Sequence, residues 1–453
     1  MITTESTLVF TIFLVTVLFL LWRPKGINEC IPTALGALCI YFFGIVSLAD
    51  IYKIAGTVTG ASITIISTIV MSIVLESVGF FRWTAFNLVE KSKGSGIRLY
   101  WNIILLCFSM TMFFNNDGSI LITTPIIIEI TRVLALKPHQ KFPYLCSGAI
   151  IATASSAPIG VSNLANLIAL KIVNLDLVTY AKLMFVPSMM GLFVISILLF
   201  IYFRNDIPER LSSYSRACML LYRNNIGMRD HPLSNSKNES ASMNWSMFRV
   251  YVTVIILVRA SFFILPNYGI PIEWIAVLGA LIMIMIRWYS QGQGAFDVIK
   301  KTPWHILIFA FSMYVVIYGV HNVNFTALII ERIKEPVSAN LFNAIFIMGT
   351  LLSVMSNLFN NLPSVMIGTL TITQMGLDQQ YLQVAYLANI MGSDIGSLIL
   401  PSGTLASLIW MYILRINKIP VTWSKYIGVT ILIIPVGLLV SLLSLYWWVL
   451  LIS

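Results

Sequence analysis

The sequence predicts an all-α polytopic membrane protein built from two inverted halves, and three observations predict it. Only 10% of the 453 residues are charged and 58% are hydrophobic, whereas soluble chains are about one quarter charged. Apolar runs near the ~20-residue length of a span recur along the whole chain. Two short windows also repeat: Phe114–Thr124 (FNNDGSILITT) matches Phe359–Thr369 (FNNLPSVMIGT) at six of eleven positions, and Gly160–Ile168 (GVSNLANLI) matches Pro401–Ile409 (PSGTLASLI) at four of nine. The windows keep their order at offsets of 245 and 241.

The apolar segments fall at 7–22, 28–47, 61–81, 99–113, 119–134, 145–170, 183–203, 248–265, 271–289, 303–321, 340–358, 364–375, 381–412 and 426–450. The first, Leu8 to Trp22, has no basic leader and no small-residue cleavage site, so it reads as a retained span. Segments 99–113 with 119–134, and 340–358 with 364–375, form two pairs, each split by a short polar tip. The tips are Phe114-Asn115-Asn116-Asp117-Gly118 and Phe359-Asn360-Asn361-Leu362-Pro363. Half-length helices around a polar tip predict re-entrant hairpins, because irregular backbone at that depth needs protein or water around it. Segments 145–170 and 381–412 carry Pro and Gly among hydroxyls, at Ser155 to Asn163 and Gly396 to Thr404. Proline removes a backbone donor and crowds the preceding turn, so a break is expected in each. The expected architecture is therefore ten spans, two hairpins and two broken helices. Residues 1–203 (hairpin 99–134, broken helix 145–170) form one half and 248–453 (hairpin 340–375, broken helix 381–412) the other, joined by a basic cytoplasmic linker, 204–247.

Charge supports this path. With the N-terminus outside, 22 of the 28 basic residues fall on the inner side: Arg23 and Lys25; Arg82, Lys91, Lys93 and Arg98; Arg132, Lys137 and Lys141; Arg204, Arg210, Arg216, Arg223, Arg229, Lys237 and Arg249; Arg287, Lys300 and Lys301; Arg415, Lys418 and Lys425. Five lie outside (Lys53, Lys171, Lys182, Arg332, Lys334) and Arg259 sits within a span. That asymmetry follows the positive-inside rule. It accounts for the net charge of +10 without nucleic acid, for which no basic stripe interleaved with aromatics exists. The five cysteines, Cys30, Cys39, Cys107, Cys146 and Cys218, show neither zinc nor disulfide spacing, and no cofactor is expected. Inverted repeats with discontinuous helices point to a secondary transporter whose site lies where the halves meet.

Candidate site residues follow from the tips and breaks. Asp117, ahead of Gly118-Ser119, is placed to cap the second arm of its hairpin, or to face a solute; a carboxylate at this depth is costly without a use. Asn115 and Asn116, with Asn360 and Asn361 opposite, offer amides that donate and accept together, although paired Asn also simply end helices. At the breaks, Ser162 and Asn163 and their counterparts Ser402, Gly403 and Thr404 are expected to turn freed backbone and side-chain groups toward the tips. The bland reading is a proline kink healed by nearby hydroxyls. Asp394 is the second deep acid. Burial disfavours the charged form of a carboxylate, so Asp117 and Asp394 are the candidates for proton coupling, with a structural pairing the alternative for Asp394. Glu76 is expected to snorkel or pair with Arg82, Glu129 to pair with Arg132 one turn away, and Arg259 and His305 to settle interfacial pairs, with a place in the pathway the alternative for both.

At these segments the chain resembles the arsenite/antimonite permease (ArsB) family of the ion transporter superfamily. The stretches that carry the resemblance are Leu75 to Trp83, Phe113 to Gly118, Thr123 to Ile126, Val161 to Asn166, Asn360 to Pro363, Gly392 to Gly396 and Pro401 to Trp410. It covers nearly everything but the central loop, and departs from the usual pattern at Asn115 and Ser402. The resemblance implies an ion-transporter-superfamily fold in the bacterial cytoplasmic membrane. It further implies proton-driven efflux of arsenite and antimonite, in some systems with a soluble ATPase subunit. As(OH)3 and Sb(OH)3 are neutral, and a cage of Asn, Ser and Thr groups suits them. Sodium/proton antiport and organic or inorganic anion transport are the alternatives within the superfamily. An intramembrane hydrolase would need HExxH, a paired-aspartate motif or a serine with a base, and none is present in convincing form. An enzyme is therefore not expected.

Overall fold

In this computed structural model the described residues are 4–22, 27–211, 214, 245–292 and 294–452. Arg23, Lys25, Arg216, Cys218, Arg223, Arg229 and Lys237, with most of the expected linker, lie outside them, as does the side chain of Arg82. The described residues form helices and no strand beyond one bridge, Ser95 to Arg210.

The helices are α1 (Thr4–Trp22), α2 (Cys30–Phe42), α3 (Leu48–Glu76), α4 (Phe80–Ser92), α5 (Gly96–Phe113), α6 (Asn116–Val133), α7 (Pro138–Ala154), α8 (Leu164–Ile172), α9 (Leu177–Phe203), α10 (Trp245–Ile264), α11 (Ile272–Gln291), α12 (Phe296–Lys301), α13 (His305–Asn322), α14 (Phe325–Ala339), α15 (Leu341–Phe359), α16 (Asn361–Gln374), α17 (Gln379–Asp394), α18 (Leu405–Ile416) and α19 (Trp423–Ile452). Ten crossings result when α7 with α8, and α17 with α18, each count as one interrupted span. The two hairpins are α5 with α6 and α15 with α16. Both expected breaks are present, with short 3-10 turns at Gly160–Ser162, Gly396–Ile399 and Pro401–Gly403.

Length alone gives a different tally. Nine helices among the described residues are at least 18 residues long and apolar enough to cross a membrane, and they include the leading hairpin arms α5 and α15. α5, 18 residues long, begins three residues before the apolar segment that announced it, whereas α15, 19 residues long, matches its segment to within one residue at each end. The added residues of α5, Gly96 to Arg98, lie at the end away from the tip, where Ser95 caps the helix by accepting from Arg98 N. The halves of the broken helices are too short to qualify singly.

Burial sorts the helices into inner and outer. In α3, 89% of the apolar stretch is covered by protein, against 28% in α1 and α10; α3 is a core element, and the outer helices turn Leu, Val and Phe to lipid. The last helices of the halves, α9 and α19, pack closely along their length. A Cβ on Gly191 would meet Ser441 Oγ at 1.7 Å, and one on Gly437 would meet Ile195 Cγ1 at 2.2 Å. Small residues at such seams let two backbones approach.

One packing feature positions the site. α8, from the first half, lies against α16 of the second hairpin, and α18, from the second half, lies against α6 of the first hairpin. Each half thus clasps the other's hairpin, and the two tips are carried to the same depth.

Candidate functional site

The first tip is built by local hydrogen bonds. Asn115 Oδ1 accepts from Gly118 N at 2.6 Å, and Asn116 Oδ1 accepts from Asp117 N at 2.8 Å. The cap of α6 is therefore Asn115 and not Asp117 as the sequence suggested: an extended Asn one residue before the helix places its oxygen over the free N–H groups. Asp117 is left free of that duty. Its Oδ1 is buried without a protein partner, as is Asn115 Nδ2.

The second tip is held differently. Asn360 adopts φ +76° with ψ 157°, outside the left-handed helical well and in a region that residues with a side chain rarely enter. Its Nδ2 donates to the Ser402 carbonyl at 3.0 Å, and its Oδ1 is buried without a partner. Asn357, one turn earlier, ties the hairpin to the break beside it. Its Nδ2 donates to the Gly396 carbonyl at 2.8 Å, its Oδ1 accepts from Leu400 N at 2.7 Å, and its carbonyl accepts from Ser402 Oγ at 3.3 Å.

Asp394 lies behind the tips, fully buried. Its carboxylate accepts from Ser156 Oγ at 2.7 Å, Asn163 Nδ2 at 2.8 Å and Asn166 Nδ2 at 2.7 Å. The acid belongs to the second half and all three donors to the first, so this knot joins the halves at their breaks. Asn163 also caps α8, its Oδ1 accepting from Ala165 N at 3.0 Å.

Two cavities meet at the first tip. The smaller, about 20 Å3, is lined by Asn116 and Asp117 of one tip, Asn360, Asn361 and Leu362 of the other, Asn163, Leu164 and Ala165 of the first break, and Ile306, Phe309 and Leu405. The larger, about 1320 Å3, runs from Asp117 past Glu29, Ile69, Leu121, His305 and Leu408 to Trp22, Tyr412, Arg415, Lys418 and Trp423. Asp117, Ile306 and Leu405 line both, and Asp117 is the only charged group of the three.

Five of the candidate residues are therefore brought together: Asn116, Asp117, Asn163, Asn360 and Asn361. The others line neither cavity. Asn115 is a cap. Ser162 is buried in the first break with its hydroxyl unpartnered. Ser402 is bonded to the second hairpin. Thr404 caps α18, accepting from Ser407 N at 3.0 Å and donating to Ser407 Oγ at 2.9 Å. Gly403 is a close-packing position, where a Cβ would meet the Ser397 carbonyl oxygen at 1.9 Å.

Several contributors escaped the sequence reading. Ser156, Asn166 and Asn357 matter through partners that only folding brings near, although Asn166 lies three residues from Asn163 in the same polar run. Glu29 pairs with His305 at 3.4 Å on the wall of the large cavity. Arg259 does not settle an interfacial pair; it holds the first hairpin. Glu129 and Arg132 do pair, at 3.5 Å. Among the described residues no three His, Cys, Asp or Glu side chains converge on a metal position.

Comparison with known proteins places this geometry. A sequence model described as arsenical pump membrane protein matches residues 8–449. The chain belongs to the arsenical pump membrane protein family. Within it, the chain is 49% identical to the putative arsenical pump membrane protein of Bacillus subtilis (strain 168), over 96% of this chain and 98% of that one. It is 30% identical to an arsenical pump membrane protein of Escherichia coli, over 96% and 97%. The crystal structure of the Alcanivorax borkumensis YdaH transporter shares the fold, with a TM-score of 0.53, 11% identity and coverage of 96% and 98%. The relatives so named are membrane pumps, and this chain is a multi-span helical membrane protein that shares its fold with the YdaH transporter.

Proposed function

We propose that this arsenical pump family member exports arsenite and antimonite, as their neutral trihydroxides, across the bacterial cytoplasmic membrane in exchange for protons. One observation carries the reading: Asp117 is the single charged group shared by the open cavity and the small chamber between the tips. In the chamber, Asn116, Asn163, Asn360 and Asn361 supply amides that hydrogen-bond a trihydroxide as donors and acceptors without burying a net charge. Asp117, reachable by water through the large cavity, carries the proton. Asp394 is sealed from water by its three donors and acts as a fixed brace.

At about 20 Å3 the chamber holds roughly one water. Loading a trihydroxide therefore requires the tips to part, which suits a site that alternates its access. In this reading the large cavity, mouthed by Arg415 and Lys418, opens to the cytoplasm, the N-terminus is outside, and the halves are 1–203 and 248–453 with 204–247 on the cytoplasmic side.

The test uses everted vesicles containing the full chain. Arsenite uptake should follow an imposed proton gradient, and D117N should lower it about 100-fold, the scale carried by a positioned proton-transfer group. Uptake that persists in D117N, or that follows a sodium gradient with the proton gradient collapsed, would overturn the assignment.

A further inference from the structure

Arg259 stands inside the apolar helix α10 and is buried, at 9% exposure. Its guanidinium reaches the first hairpin, where Nε donates to the Phe113 carbonyl at 2.7 Å and Nη2 donates to the Phe114 carbonyl. These are terminal carbonyls of α5, which have no partner within the helix and carry its partial negative charge. The next three residues are Asn115, Asn116 and Asp117, the tip itself.

The rest of the guanidinium is not spent on an ion pair. Nη1 is buried with no hydrogen-bond partner, and no salt bridge among the described residues joins Arg259 to a carboxylate. The cation lies 5.5 Å from the centre of the Phe262 ring, a supporting contact. An arginine at membrane depth is costly and marks function by default. α10 packs chiefly on α11 and only lightly on α5, so the two bonds to Phe113 and Phe114 are the polar link between this outer helix and the tip.

We propose that Arg259 is a positioning residue for transport: it clamps the end of α5 and so fixes where Asn116 and Asp117 stand against the second tip. The proposal rests on reading the tips as the substrate site. Lysine at the same place keeps the charge but not the two-pronged donor geometry, and glutamine loses the charge that strengthens both bonds.

The test separates this proposal from the substrate assignment. Full-length protein carrying N116C, in everted vesicles, is alkylated with N-ethylmaleimide, and modification is followed by mass spectrometry on the peptide containing residue 116. This readout needs no arsenite. Releasing the clamp by R259Q should raise the alkylation rate about tenfold, the equivalent of one charge-assisted hydrogen bond, and R259K should fall between. In the parent chain, without N116C, the arsenite KM should rise in the same order. An unchanged or lowered alkylation rate in R259Q overturns the proposal, as does an unchanged KM in a chain that transports. If R259Q does not accumulate in the membrane, R259K decides alone: a raised rate supports the clamp and an unchanged one overturns it.

Discussion

Ser156, Asn163 and Asn166 all reach Asp394 from the opposite half, across 228 to 238 positions of sequence. Changing this acid to an amide turns one acceptor into a donor facing donors. D394N should therefore cost about 3 kcal/mol, the scale of a buried polar group left unsatisfied, read as a lower melting temperature in detergent. A melting temperature equal to that of the parent would show that the knot adds nothing. Asp117 should behave in the opposite way, because its Oδ1 has no protein partner to lose: D117N should melt near the parent while losing proton-driven uptake. The sequence singled out both acids from their depth alone. It could not separate them, since what distinguishes Asp394 from Asp117 is a set of contacts made between halves.

At the scale of elements, the polar tips were legible because an Asn-Asn pair is costly to bury in an apolar stretch and nevertheless occurs twice. The start of α5 was not, since the Ser95 cap carries the helix through Gly96 to Arg98, ahead of the apolar run. Asn357 was missed for another reason: a lone amide in a helix announces itself only through the Gly396 carbonyl and Leu400 amide it meets. N357A removes three side-chain hydrogen bonds and leaves the Leu400 N–H unpaired. It should lower stability by about 2 kcal/mol and loosen the second tip, seen as faster proteolysis of the hairpin. The seam between α9 and α19 is equally exacting. G191V puts branched carbon where Ser441 and the Gly437 backbone already sit, and the overpacking should cost about 3 kcal/mol, measured as loss of folded protein on size-exclusion chromatography.

For the whole molecule, the charge asymmetry predicts which contacts share a face, and the contacts agree with it. Lys171 pairs with Glu273, and Trp448 donates to the Lys182 carbonyl, on one side. Arg287 pairs with Asp297, and Lys425 sits over the Phe142 ring, on the other. Labelling gives the absolute direction. Y412C, at the mouth of the large cavity, should react with a membrane-impermeant maleimide in everted vesicles and not in right-side-out ones, and K182C should do the reverse. The opposite pattern would turn the proposed orientation over.

The mutual clasp, α8 on the second hairpin and α18 on the first, has a consequence for how the halves depend on each other. A protein consisting of one half alone would have no neighbour to cover its polar tip, and so no stable place in a bilayer as a monomer. Two copies would do, provided one of them entered the membrane upside down. In the joined chain each tip is covered by the other half, which leaves the tips free to differ in chemistry: an acid, Asp117, at one and a proline, Pro363, at the other.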